Sequence, residues 1–470
     1  REGRDAMVDL IIKNASWLIT MDSERRIIRD GAIVIGGNRI VDVGTTSKIF
    51  PQYSNVKDII DAKDKLVFPG FINCHLHTTQ QLARGLADNV SLPVYIHERI
   101  FPFEAALTKE DAIYSAYCTC LEAIKTGTTC FIDPGGYNME KVVEVVDKIG
   151  LRAILQRSMV DIQTSDRPAP GRIGESTESA LKAGEEFVSN YHGSANGRIR
   201  AWFSMRTSRT TSNELLKGVK KLSDKYGVGI SSHMSNVPDS VEQHKKLFNG
   251  LTPLVRYNQA GAAGANLMIF HANYLTPEEV ELAIDKNVKV IHCPTSARAG
   301  GVGSLLAKHL YILEKGGTVA LGSDTGSASN TNDMFEVMHA LQAHRDVKVD
   351  YSLLPPEEIL DIIISNGAKA ALWEDEIGSI EIGKKADIVL VNIISPDWVP
   401  VHNPVSNLVM SATSSSVDTV IVDGKVIMQG RKILTADEVS LLREGQRRAL
   451  EIAKRAGLDK YAKPRWQVVE

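Results

Sequence analysis

Leu66-Val67-Phe68-Pro69-Gly70-Phe71-Ile72-Asn73-Cys74-His75-Leu76-His77 decides how the rest of the chain is read. The apolar run from Leu66 to Ile72 delivers two imidazoles separated by one residue, and residues i and i+2 of a strand point to one face. Both rings therefore stand on the same side of one strand, where they can share a metal ion. Among twelve histidines a lone His-x-His is a weak signal. It gains weight because later strand-like runs also end in histidine or aspartate.

Eight such runs occur: Leu66–Cys74, Thr128–Asp133, Leu151–Arg157, Ile199–Met205, Val228–His233, Asn266–His271, Lys289–Cys293 and Thr318–Asp324. Helical patterns separate most of them, over Lys109–Lys125, Asn138–Lys148, Glu175–Tyr191, Glu214–Tyr226 and Pro277–Asp285. Eight βα units predict a parallel barrel, whose chemistry gathers at the C-terminal ends of its strands. An open doubly wound sheet is the competing architecture, but no Gly-x-Gly-x-x-Gly loop follows an early strand. The run ends then line up: His75 and His77 on the first, His233 on the fifth, His271 on the sixth, His292 on the seventh and Asp324 on the eighth. Nitrogen and carboxylate ligands from several strands suit a catalytic metal with one position left for water. His97, His192, His244, His309, His339, His344 and His402 follow no such pattern and read as ordinary hydrogen-bonded histidines.

Outside the barrel the texture changes. Asp9 to Thr20 and Gly31 to Gly44 read as short strands, and the same texture returns in Ala386–Val391, Val417–Val422 and Val426–Met428. One small β-sandwich built from both termini is expected, over 7–66 with 380–435, enclosing a barrel over 67–379 and followed by a helical extension over 436–470. Composition fits a soluble protein, with 43% apolar and 24% charged residues. A net charge of −3 without a basic block speaks against nucleic acid and anionic membranes. No run reaches the ~18 apolar residues of a membrane span. Arg1 to Met7 lack the apolar core of a signal peptide, and five cysteines make no disulfide framework, so a reducing cytoplasm is the expected setting.

The motifs Pro69-Gly70-Phe71-Ile72-Asn73 before His75-Leu76-His77, Phe270-His271, His292-Cys293-Pro294-Thr295-Ser296, Gly322-Ser323-Asp324 and Gly378-Ser379-Ile380-Glu381-Ile382-Gly383-Lys384-Lys385-Ala386-Asp387 resemble the amidohydrolase superfamily, in its deaminase and chlorohydrolase-like branch. The resemblance is closest to triazine, phenylurea and thiocarbamate (molinate) hydrolases. It implies a distorted (β/α)8 TIM barrel beside a small β-sandwich, with His75, His77, His233, His271 and Asp324 around one divalent metal. Zinc is the default, while cobalt, iron or manganese can be loaded according to supply. A divalent cation lowers the pKa of its water to ~7. The pattern implies catalytic roles for Asp324, which takes the proton of that water, for His292 beside it and for His271. Binuclear relatives carry a bridging lysine or carboxylate near the position of Arg206, and a guanidinium cannot ligate, so one metal is expected.

Two departures direct the functional expectation. Deaminases of this branch have His-x-x-Glu after the fifth strand, where the glutamate protonates a ring nitrogen. Here the run is His233-Met234-Ser235-Asn236, and an amide supplies no proton at neutral pH. The fourth strand likewise ends in Met205-Arg206-Thr207-Ser208-Arg209 in place of a Pro-His loop. The expected activity is hydrolysis of a carbonyl C–N or C–S bond in a small xenobiotic urea, carbamate, thiocarbamate or amide. The alternative is a deaminase or dechlorinase of an N-heterocycle of triazine, guanine or cytosine type, finding its acid elsewhere, as in Glu98 or Glu242. Asn236, Arg206, Arg298 and Gln81 are the expected substrate contacts. The loop from Thr78 to Phe103 is read either as an apolar pocket wall or as helix and dimer interface, and a homodimer is the expected assembly.

Overall fold

The computed structural model describes residues 7–162, 175–299, 306–343, 354–464 and 466–468. Its centre is a near-closed barrel of eight parallel strands that neighbour one another in chain order. They span Phe71–Asn73, Thr128–Asp133, Arg152–Met159, Ile199–Thr207, Ile230–Met234, Leu267–His271, Lys289–His292 and Val319–Leu321. The eighth strand meets the first where Cys74 N–H donates to Leu321 O and Asp324 N–H to His75 O, each at 2.9 Å. The barrel strands are covered on both faces, and Thr128–Asp133 is buried at every position. The barrel helices follow the predicted periodicity, with Lys109–Lys125 and Pro277–Asp285 at the expected bounds. Thr108 and Thr276 start them, each accepting from the amide three residues on.

The expected first strand, Leu66–Cys74, is in fact two strands in two sheets. Lys65–Pro69 runs antiparallel to Ile388–Asn392, whereas Phe71–Asn73 pairs with Thr128–Asp133 in the barrel. The break is Gly70, where a Cβ would stand 2.1 Å from Thr129 Cγ2 and 2.2 Å from its hydroxyl. Only a bare α-carbon lets the backbone change partner there: Gly70 N–H donates to Asp387 O (3.1 Å) and Phe71 N–H to Gly127 O (3.0 Å).

Two further sheets flank the barrel. One has four strands, in the order Arg39–Thr45, Gly31–Gly36, Val8–Ala15 and Val56–Asp61. The other has seven and mixes the termini, with Val417–Val422, Ile388–Asn392, Lys65–Pro69 and Trp17–Ile19 adjacent in that order. Leu10, Ile12, Ile33 and Ile35 of the first sheet pack on Val67, Ile388, Leu390 and Ile421 of the second. The alternate side chains, Leu66, Phe68, Val389 and Val420, face the barrel core, as the period of two requires. The C-terminal helix Glu438–Arg455 places Ile452 and Ala453 against Leu82 and Phe103. It thereby backs the segment that follows the first barrel strand. Among the described residues no helix is long and apolar enough to cross a membrane.

Candidate metal centre and substrate cavity

The strand ends bring the predicted histidines together. The ring of His75 lies 4.9 Å from those of His77 and His233 and 5.3 Å from that of His271, centroid to centroid. Asp324 enters from the eighth strand, with Oδ1 3.5 Å from His75 Nε2 and 3.8 Å from His77 Nε2. Ligand atoms of His75, His77 and His233 lie within 4.8 Å of one another, as do those of His75, His271 and Asp324. Backbone strain aims two of these groups: His271 and Asp324 have φ of +67° and +68°, a region non-glycine residues seldom occupy.

The charge states suit a cation. Burial pushes His77 and His233 well below the ordinary imidazole range, adjacent rings add to the effect, and burial brings His271 down to about 4. Their lone pairs are therefore free at neutral pH. For Asp324 burial acts to raise the pKa, but His75, His271 and His77 outweigh it and hold the carboxyl well below the usual range. His233 Nδ1 meets Arg206 O at 2.8 Å, which makes that nitrogen the donor and leaves Nε2 for a ligand. Neither nitrogen of the fully buried His75 has a hydrogen-bond partner among the described residues. Buried imidazoles are not left unpaired without cause. Four imidazoles and one carboxylate converging on one point match the donor set of a single divalent metal.

A cavity of about 500 Å³ opens over this cluster. His77, His233, His271 and Asp324 form its floor, and Leu92, Ile96, Ile100 and Phe101 form much of its wall. The Thr78–Phe103 segment is thus short helical turns and pocket wall at once: Thr78–Ala83, Leu92–Val94, Tyr95–Ile100 and a start at Phe101. Asn236 and Arg206 line the cavity. Asn273 Nδ2 donates to the side-chain and backbone oxygens of Asn236, both at 3.2 Å. With its carbonyl oxygen engaged, the Asn236 amide presents N–H groups. Arg206 stands 3.4 Å from Glu104, a buried carboxylate that also accepts from Gln80 Nε2 at 2.7 Å.

Other expectations change. Gln81, expected as a substrate contact, is not among the residues lining the cavity: it donates to Glu122 (2.5 Å) and accepts from Asn332 (2.8 Å), tying the loop after the first strand to that after the eighth. Neither Glu98 nor Glu242 offers a buried acid, their side chains being 44% and 60% exposed. His292 is buried and lies 4.4 Å from the ring of His309, outside the lining of the large cavity. Arg298 belongs to the helix Pro294–Ala299, and its side chain lies outside the described residues, as does His344. His244, read as an ordinary hydrogen-bonded histidine, is buried with neither ring nitrogen bonded among the described residues. Asn273, Glu104 and the Ser296 hydroxyl, which donates to Asp324 Oδ2 at 2.5 Å, complete the polar setting. Their roles depend on contacts between loops that no local pattern encodes.

The amidohydrolase family model matches residues 66–427. A 5-methylthioadenosine/S-adenosylhomocysteine deaminase of Pelotomaculum thermopropionicum is 34% identical over 450 residues, covering 96% of this chain and 100% of that protein. A 5'-deoxyadenosine deaminase of Methanosarcina acetivorans is 33% identical over 452 residues, with 96% and 100% covered. Among solved structures, an adenosine deaminase from Xanthomonas campestris with bound zinc superposes with a TM-score of 0.88 at 24% identity, over 96% of this chain and 100% of that one. The barrel, the clustered strand-end ligands and this end-to-end similarity lead to one conclusion: the chain belongs to the amidohydrolase family.

Proposed function

We propose that this enzyme hydrolytically displaces the exocyclic nitrogen of an N-heterocycle of adenine-nucleoside type. The observation that carries the reading is the similarity at 33–34% identity, along nearly the whole chain, to proteins named as deaminases of 5'-modified adenosines. It replaces a xenobiotic urea or carbamate as the first choice of substrate. A cavity of about 500 Å³ suits a nucleoside, which apolar walls such as Ile96 and Phe101 would stack and shield from water.

His75, His77, His233, His271 and Asp324 would hold one divalent metal, with zinc the first choice. When bound, such a cation acidifies a water and makes it a nucleophile at neutral pH. Asp324 takes a proton from the attacking water and passes it to the departing nitrogen. Asn236, its oxygen held by Asn273, donates a hydrogen bond to the ring nitrogen or oxygen beside the attacked carbon. Arg206, which also lines the cavity, offers further donors.

Asn236 also favours a second reading. An amide polarises a carbonyl as readily as a ring nitrogen yet cannot protonate the ring, which fits cleavage of a carbonyl C–N or C–S bond. Product analysis separates the two. Ammonia from 5'-deoxyadenosine or adenosine is the expected result. Amine or thiol release from phenylureas and thiocarbamates, with no purine deaminated, would overturn it in favour of the second. Under either reading His75→Ala loses metal and turnover together, measured by atomic emission and by the same assay.

A further inference from the structure

Two chambers meet at Asp324. Beside the large cavity lies a smaller one of about 50 Å³, and Leu92, Tyr95, Asn236 and Asp324 border both. The Asp324 carboxylate is the partition. Its Oδ1 faces His75 and His77, while Oδ2 accepts from Ser296, which lines the small chamber alone. The other described residues that line it are aliphatic: Ala87, Val90, Val237, Ala299 and Ala328. Tyr95 is fixed between the chambers by a 2.8 Å hydrogen bond to Ser327. The group that carries the proton to the leaving nitrogen thus borders a second, smaller space walled in large part by aliphatic side chains.

We propose that this chamber receives the leaving group, and that the enzyme favours an amine bearing a short alkyl chain over bare ammonia. The inference rests on the hydrolytic displacement proposed above. The step balances without any redox partner: the water oxygen bonds to the ring carbon and the C–N bond breaks. One water proton travels by Asp324 to the departing nitrogen, so that the alkylamino-substituted ring and one water give the hydroxylated ring and one free primary amine. A water needs a cavity of ~10–15 Å³, so a space of about 50 Å³ admits a group of a few heavy atoms, the nitrogen and a short carbon chain. Ammonia would fill one position and leave apolar walls facing a void or poorly held water. Each methylene buried there is worth roughly fourfold in kcat/KM. A short chain packs against Val90 and Ala328, which line the chamber, and a longer one outgrows its volume.

The test compares leaving groups on one scaffold. Metal-loaded enzyme is assayed with 5'-deoxyadenosine and its N6-ethyl and N6-butyl derivatives, in wild type, Ala328→Leu, which fills the chamber, and Val90→Ala, which widens it. The ratio of kcat/KM for the N6-ethyl over the unsubstituted substrate should fall about tenfold or more in Ala328→Leu. Val90→Ala should raise the N6-butyl over N6-ethyl ratio. Parallel changes for all substrates would overturn the chamber's role while leaving the hydrolytic reading in place. Crystals soaked with ethylamine supply a readout independent of turnover: its carbons should lie between Val90 and Ala328 with the nitrogen on Asp324. An empty chamber in that soak overturns the inference, whereas failure to turn over any purine counts against the nucleoside reading alone.

Discussion

Asn236 is the residue on which the chemistry turns. It stands in the cavity wall with its oxygen occupied by Asn273, so it can donate a hydrogen bond but cannot transfer a proton. Asn236→Glu would supply a general acid, a contribution of ~10²–10⁴ when fully realised. With the surrounding contacts built for an amide, a gain of about tenfold to a hundredfold in ammonia release from 5'-deoxyadenosine is expected. A steady-state ammonia assay checks it, and a loss of rate would mean that ring protonation is not the limiting need. His244 gives a prediction about stability instead. Burial, with Arg256 and Arg209 adding to it, lowers its pKa from 6.5 to about 3. Between those values the unfolded chain binds a proton that the folded chain refuses, so the contribution is whole above pH 6.5 and is lost as pH falls towards 3. Going from pH 7 to pH 5 should cost the wild type about 2 kcal/mol more than His244→Gln, compared by urea midpoints at the two pH values.

At the scale of elements, Gly70 shows how one position governs two sheets. Gly70→Ala would press a methyl into the buried Thr129 and should cost about 1–3 kcal/mol by thermal melting, with Thr129→Ala in the same chain recovering part of the loss. The sequence made the helices and most barrel strands legible, because buried parallel strands are continuous apolar runs and the helices between them keep their period and caps. It concealed the split at Gly70, since Leu66 to Ile72 is apolar throughout and periodicity cannot say which sheet a residue joins. The clustering of His75, His77, His233, His271 and Asp324 was legible for a related reason: each ends a run, and a barrel gathers run ends. What holds those groups was not legible. The left-handed backbone at His271 and Asp324, the grip of Asn273 on Asn236 and the contact of Ser296 with Asp324 arise between segments distant in the chain.

The whole molecule is joined by an ion cluster of the same long-range kind. Arg152, at the start of the third barrel strand, is fully buried and donates to Asp387 at 2.6 and 3.1 Å and to Asp423 at 3.0 Å. Asp387 precedes the sheet strand Ile388–Asn392, and its Oδ1 also accepts from Asp423 N–H at 2.7 Å. The cluster therefore fastens the turn after Val417–Val422 and the start of its partner strand onto the barrel, at the end opposite the metal ligands. Its partners are separated by 235 and 271 residues, so no local pattern announces it. Its net worth beside an apolar substitute is small, because each ion gave up its hydration to enter. Breaking it from one side is another matter. Arg152→Met takes from two buried carboxylates the cation they share, leaving Lys385 Nζ 3.9 Å from Asp423, and should cost about 3–5 kcal/mol. Arg152→Met combined with Asp387→Asn and Asp423→Asn removes the uncompensated charge and should recover much of that loss, a non-additivity that chemical denaturation of the full set of variants would measure. Simple addition of the separate losses would mean that the three groups do not act as one unit and that apolar packing alone seats the sheet on the barrel.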